Sequence, residues 1–194
     1  MRLHHTLPLA LLFAACSPQD RMPAPVADTS CFGSRVLSFQ DLVAEVVIPA
    51  GEDCAIGSFV VVFTRGGDTL ASLTETRVGS VGFIGTADVD GDGRGEFFVS
   101  TSGTGGTGGT GGIDGDVRGA LFAYTEGASG ITRLALAPLD SAQLVGYAGQ
   151  DRFGFGGADQ LVRAFPRAGA DTAWFGYSHG EGRWNAIARP AWVR

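Results

Sequence analysis

The chain has 194 residues, 31 of them Gly, with 44% hydrophobic and 18% charged residues and a net charge of −6. That length fits one domain with a packed core, and glycine far above its usual ~7% suits turn-rich β structure rather than long helices or a coiled coil. All 14 basic residues are Arg, which rules out lysine Schiff bases and Walker-type phosphate loops; an acidic chain without a basic cluster argues against nucleic acid as a partner.

Residues 1–15 read as a signal peptide: Arg2 precedes an apolar run, Leu7 to Ala15, that is too short to span a bilayer. The run ends in Leu12-Phe13-Ala14-Ala15-Cys16, which resembles the bacterial lipobox, with Phe13 where Leu is usual. The resemblance implies that Cys16 is lipidated and becomes the new N-terminus, and Ser17 after it implies sorting to the outer membrane. An ordinary cleaved signal with a chance Cys is the alternative. Residues 16–30, with Pro18, Pro23 and Pro25, suit a flexible tether, leaving residues 31–194 as a single all-β domain.

Export places the remaining cysteines, Cys31 and Cys54, in an oxidising compartment, where one disulfide between them is expected. Such a loop closure contributes roughly 3 kcal/mol in the chain-entropy model. Two free thiols are the alternative. Zinc is disfavoured, since His179 is the one His after the signal.

Along the mature chain the period is two. Val36–Phe39, Leu42–Ile48, Ser58–Thr64, Thr69–Thr74 and Val78–Ile84 are short β-branched or aromatic runs between turn residues. Arg65-Gly66-Gly67-Asp68 joins the third and fourth as a hairpin. Glu96–Thr101, Ala120–Thr125, Ile131–Ala137, Gln143–Tyr147, Leu161–Phe165, Ala173–Tyr177 and Arg183–Ala188 follow. No window carries an amphipathic helix, so the expected fold is an antiparallel sandwich or barrel.

The sharpest motif is Asp88-Val89-Asp90-Gly91-Asp92-Gly93-Arg94-Gly95-Glu96. Carboxylates at positions 1, 3, 5 and 9, with Gly at 6, fold a short loop whose alternate side chains converge. Hard oxygen ligands so arranged suit Ca²⁺, with Asp88, Asp90, Asp92 and Glu96 as ligands and the Arg94 backbone carbonyl at position 7. Four carboxylates this close repel one another unless a cation sits among them. Position 12, the bidentate acid of an EF-hand, is Val99, so this is a β-linked loop that would pin the strand Gly79–Ala87 to the strand Glu96–Thr101. A solvated acidic turn without metal is the bland reading.

Ser102-Gly103-Thr104-Gly105-Gly106-Thr107 opens a long Gly-rich loop. It contains G-x-G-x-x-G, but more Gly follows instead of a helix, so the dinucleotide reading fails its context. It reads as low-complexity loop or as a surface loop entering a partner's cleft, where absent side chains allow close backbone approach. Gly176-Tyr177-Ser178-His179-Gly180 matches the G-x-S-x-G elbow, yet no Asp follows it, the one His is adjacent in sequence, and Gly180 and Gly182 discourage the helix that such an elbow needs. The chain reads as a protein without catalysis.

From about Val43 to Leu136 the chain resembles the PliI family, periplasmic inhibitors of I-type lysozyme. The resemblance lies in Val46-Val47-Ile48-Pro49-Ala50-Gly51-Glu52 with Ile56-Gly57-Ser58-Phe59, in Ala87 to Gly93 with Glu96, and in Ser102 to Gly106 with Ala120-Leu121-Phe122-Ala123-Tyr124. It implies an all-β PliI-like part over residues 31–140 whose loop Ser102–Thr107 enters a lysozyme cleft, and a C-terminal β extension over 141–194. The family's loop tyrosine falls on Thr107, so the usual aromatic anchor is absent. The expected function is a Ca²⁺-binding cell-envelope lipoprotein that inhibits a muramidase, held to the membrane through its lipid alone. Its Gly-rich loop is expected to protrude beside the metal site.

The acidic motif also resembles the FG-GAP/VCBS blades of integrin-like propellers, which implies the alternative of a Ca²⁺-stabilised surface or adhesion module. Against it, the length leaves room for fewer than three blades, and the acidic motif occurs once. The C-terminal aromatics Phe153, Phe155, Trp174, Phe175, Tyr177 and Trp184 read as core or as cover for one sheet.

Overall fold

The computed structural model describes residues 34–54, 56–102, 120–147, 149–169 and 171–191. Twelve strands follow in order: β1 Arg35–Phe39, β2 Leu42–Val47, β3 Ile56–Arg65, β4 Asp68–Val78, β5 Ser80–Ala87, β6 Glu96–Ser102, β7 Ala120–Gly127, β8 Gly130–Leu134, β9 Arg152–Phe155, β10 Leu161–Pro166, β11 Thr172–Ser178 and β12 Arg183–Ala186. They form three antiparallel sheets of four strands, each an up-and-down meander in chain order: β1–β4, β5–β8 and β9–β12. The fold is all-β, as expected, and the barrel option falls away because no sheet closes on itself.

The second sheet is the middle layer. Its Phe97, Val99, Phe122 and Tyr124 pack on Ala44, Val46, Phe59, Val61 and Phe63 of the first sheet. Edge-to-face ring pairs join the two layers, Phe59 with Phe122 at 4.9 Å and Phe63 with Phe97 at 5.4 Å. Phe98 and Ala123, on the opposite face, meet Leu161, Phe165, Phe175, Tyr177 and Trp184 of the third sheet. Strand alternation explains both cores, because odd and even positions of β6 point to opposite sides. Glu96 to Thr101 are consequently all buried, with Phe97-Phe98-Val99 the apolar centre of a strand covered on two faces.

Connections alternate between two ends of this stack. The turns inside each pair, β1–β2, β3–β4, β5–β6, β7–β8, β9–β10 and β11–β12, gather at one end. The β2–β3 loop, the start of the β6–β7 loop and the passages between sheets gather at the other. Gly79 alone carries the chain from the first sheet to the second, at φ 82°. The β3–β4 hairpin turns through Gly66 and Gly67 at φ 60° and 94°, the primed geometry that the Gly-Gly pair predicts.

Two expectations about strands need correction. Gln143–Tyr147 is a run of turns: the Asp140 carboxylate accepts the Gln143 N–H at 2.7 Å while the Gln143 amide oxygen accepts the Asp140 N–H at 2.9 Å. That reciprocal cap commits the backbone to a turn, and only Tyr147 makes a bridge, to Arg167. Conversely Arg152–Phe155, unassigned in the sequence reading, is the first strand of the third sheet. Trp174 faces away from the core that Phe175 and Tyr177 enter and lies half-buried on the outer face of its sheet.

The length does accommodate three four-stranded units, contrary to the estimate of fewer. Each third strand ends on the same pattern, aromatic–hydroxyl–x–Gly: Phe63-Thr64-Arg65-Gly66, Tyr124-Thr125-Glu126-Gly127 and Tyr177-Ser178-His179-Gly180. The last of these absorbs the apparent nucleophile elbow. Ser178 ends a strand and a β-turn follows it, with Gly182 N–H donating to the His179 carbonyl.

Candidate functional site

The acidic motif is the turn between β5 and β6, and its own side chains shape it. Asp88 accepts the Gly91 N–H at 2.7 Å and the Gly93 N–H at 2.9 Å. Asp90 accepts the Asp92 N–H at 3.0 Å, and Asp92 the Arg94 N–H at 2.7 Å. Gly91 and Gly93 stand at φ 76° and 86°, the left-handed region that glycine enters without strain. Carboxylate oxygens of Asp88, Asp90 and Glu96 all come within 4.8 Å of one another. Asp92 is not in that convergent group, although its carboxylate caps the turn as those of Asp88 and Asp90 do.

Glu96 is the buried member, 1% exposed at the start of β6. It accepts the Val89 N–H at 2.9 Å and the Thr125 hydroxyl at 3.2 Å. Burial pushes its carboxyl above the ordinary range; the bond from Val89 opposes that, and the charges of Asp90 and Asp92 add to it. A desolvated carboxylate beside two exposed acids calls for a positive charge. Three hard oxygen donors around one point are the chemistry of a group that could hold a metal ion.

All three sheets reach this loop. From the β1–β2 turn, the Gln40 amide donates to the Gly93 carbonyl at 2.9 Å, and Phe39 packs where a Cβ on Gly95 would lie 2.3 Å from its ring. In the second sheet, Arg94 donates to the Glu126 carbonyl at 2.9 Å. From the β11–β12 turn, His179 Nε2 lies 3.8 Å from an Asp90 carboxylate oxygen. Arg65 ties the first sheet to the second at the same end, meeting Glu126 with paired bonds of 2.9 and 2.7 Å and Asp41 at 3.0 Å. The sequence reading missed Gln40, Phe39 and His179 as neighbours of the loop, since nothing local to the motif announces them.

The Gly-rich loop departs from the other end of β6. Ser102 closes that strand, and Gly103, Thr104, Gly105, Gly106 and Thr107 lie outside the described residues. Seven residues at ~3.3 Å rise separate the acidic cluster from the loop root by roughly 20 Å. The root of the loop at Ser102 is therefore at the far end of β6 from the acidic site; the expectation that the loop protrudes beside that site falls on residues outside the described ones. Cys54 is disulfide-bonded. Cys31 and Cys16 lie outside the described residues, as do residues 1–33.

At the loop end, buried Arg77 organises the β2–β3 connection. It donates to the carbonyls of Ser58, Cys54, Gly79 and Asp53 at 2.7–3.0 Å. Glu52 accepts the Ser58 N–H at 2.9 Å and its hydroxyl at 2.7 Å, and these bonds hold its carboxyl below the ordinary range. Among the described residues no catalytic constellation accompanies either end. No family model matches the chain, and no curated protein or solved structure matches it either.

Proposed function

We propose that the protein is a Ca²⁺-stabilised cell-envelope lipoprotein that acts as a binding module without chemistry, and that its partner is a lysozyme-type muramidase engaged by the loop Ser102–Thr107. The supporting observation is the construction of β6. A strand buried on both faces holds the carboxylate trio at one end and the root of the Gly-rich loop at the other. Cys16 would carry the lipid at the outer membrane, with residues 16–30 as the tether.

The experiment has two stages. Ca²⁺ titrated into the chelator-stripped protein should raise its melting temperature, and Asp90→Ala should abolish the rise. The loaded protein should then inhibit an I-type lysozyme at stoichiometric concentration, and replacing Ser102–Thr107 should remove the inhibition. Absence of any Ca²⁺ shift up to millimolar concentration would sink the metal assignment. A Ca²⁺ shift without lysozyme inhibition would sink the inhibitor assignment alone.

A second reading, a Ca²⁺-stabilised surface or adhesion module of the FG-GAP/VCBS kind, is favoured by one observation: three successive four-stranded meanders with a shared third-strand ending. That outcome of the second stage would leave it standing.

A further inference from the structure

The three sheets stack in one orientation, with β1 beside β5 and β5 beside β9. In a stack of like repeats each unit buries its faces on its neighbours, and the two end units keep one face without a neighbour. Among the described residues those faces are the backs of the first and third sheets.

The back of the first sheet carries a patch of valines, bordered by Thr64, Ser72 and Thr74. Alternation places Val36, Val43, Val47, Val60 and Val62 opposite the core-facing Ala44, Val46, Phe59, Val61 and Phe63, and Val36 is 62% exposed. Glu45 stands among these valines, paired across the strands with Val36 on one side and Val62 on the other. It makes no ion pair among the described residues and stays half-exposed, so a partner that covers this face must bring a base to it.

The back of the third sheet is a hollow of about 700 Å³, lined by Arg152, Ala164, Trp174 and Ile187 among others. Small residues make it concave: Ala164 lies between Arg152 and Trp174 on the neighbouring strands. Arg152 also makes no ion pair among the described residues. The valine face carries one acid, Glu45, and the hollow carries two bases, Arg152 and Arg189, against one acid, Asp171, so the two are complementary in sign.

We propose that the back of the first sheet seats in the third-sheet hollow of a second copy of this chain, continuing the stack across molecules with Glu45 against Arg152. The contact is head-to-tail, so each copy offers one of each face. It does not use the acidic loop.

The test is sedimentation velocity of the full chain, in a Cys16→Ser background so that no lipid drives association, from submicromolar to high micromolar concentration. Concentration-dependent self-association is expected. Glu45→Arg and Arg152→Glu should each weaken it at least about tenfold, as loss of a desolvated charge pair does, and the double variant should recover it. Both side chains lie on outer faces, and unchanged melting temperatures would confirm intact folds. Should Glu45→Arg fail to fold, Ser72→Arg, in the same cross-strand row beside Val62, should weaken association instead. A monomer at every concentration would overturn the proposal. So would association indifferent to the single variants, or a double variant no better than either.

Discussion

Arg77 shows what one side chain can hold. It is 1% exposed, and its guanidinium spends its N–H donors on four backbone carbonyls of the β2–β3 connection and the Gly79 crossover. Arg77→Met would strand those carbonyls at about 1–3 kcal/mol for each left unpaired, less where water enters. A loss of roughly 3–5 kcal/mol is expected in urea unfolding. Glu96→Gln should act in the opposite direction on the metal-free protein, because it removes a buried negative charge that Asp90 and Asp92 oppose. Its melting temperature without metal should rise and its response to Ca²⁺ should vanish. Glu126 gives the acid limb: bonds from Arg65 hold its carboxyl below the ordinary range. Its stabilisation is therefore complete above the unfolded pKa of ~4.3 and is lost as pH falls through the lower folded value. Melting temperature against pH should drop less steeply below about pH 4.3 in Glu126→Gln.

At the scale of elements, the acidic turn is held from outside as much as from within. Gly95 lies against Phe39, and a Cβ there would approach the ring to 2.3 Å. Gly95→Ala should cost about 1–3 kcal/mol as an overpacking change and, by displacing the turn, weaken metal binding in a calorimetric titration. Strand positions were largely legible from period-two patterning, as with Leu42–Val47, whose buried and half-buried residues alternate without a break. The turn chemistry of Gly66-Gly67 was equally legible. Illegible elements had a stated competitor: Arg152–Phe155 hides behind Gly154 in a four-residue strand, and Gln143–Tyr147 looked apolar enough for a strand but is governed by the Asp140–Gln143 cap. Of the candidate site, Asp88, Asp90 and Glu96 were readable from spacing alone. The absence of Asp92 from the group was not, because which carboxylates converge is a property of the folded turn.

Across the whole molecule, the repeat escaped notice because it is written in geometry. Only the aromatic–hydroxyl–x–Gly ending recurs, while the first turn of each meander differs: two residues after β1, the acidic loop after β5, and a 3-10 turn, Gly157–Asp159, after β9. The acidic group that could hold a metal ion thus belongs to one repeat of three. Phe98 faces the second core and meets Phe155 edge-on at 5.6 Å. Phe98→Ala should cost about 3–5 kcal/mol. The two cores share β6, so near- and far-UV circular dichroism should still report one coincident unfolding transition.

That shared strand also governs what one end of the molecule can tell the other. Clamped on both faces and hydrogen-bonded on both edges, β6 has no second arrangement to switch into, and long-range coupling needs an element with two states. A cation at the Glu96 end would then alter the fraction of molecules that are folded, and leave untouched the intrinsic affinity of whatever the chain beyond Ser102 binds. In a binding assay, calcium would change the number of competent molecules at constant dissociation constant.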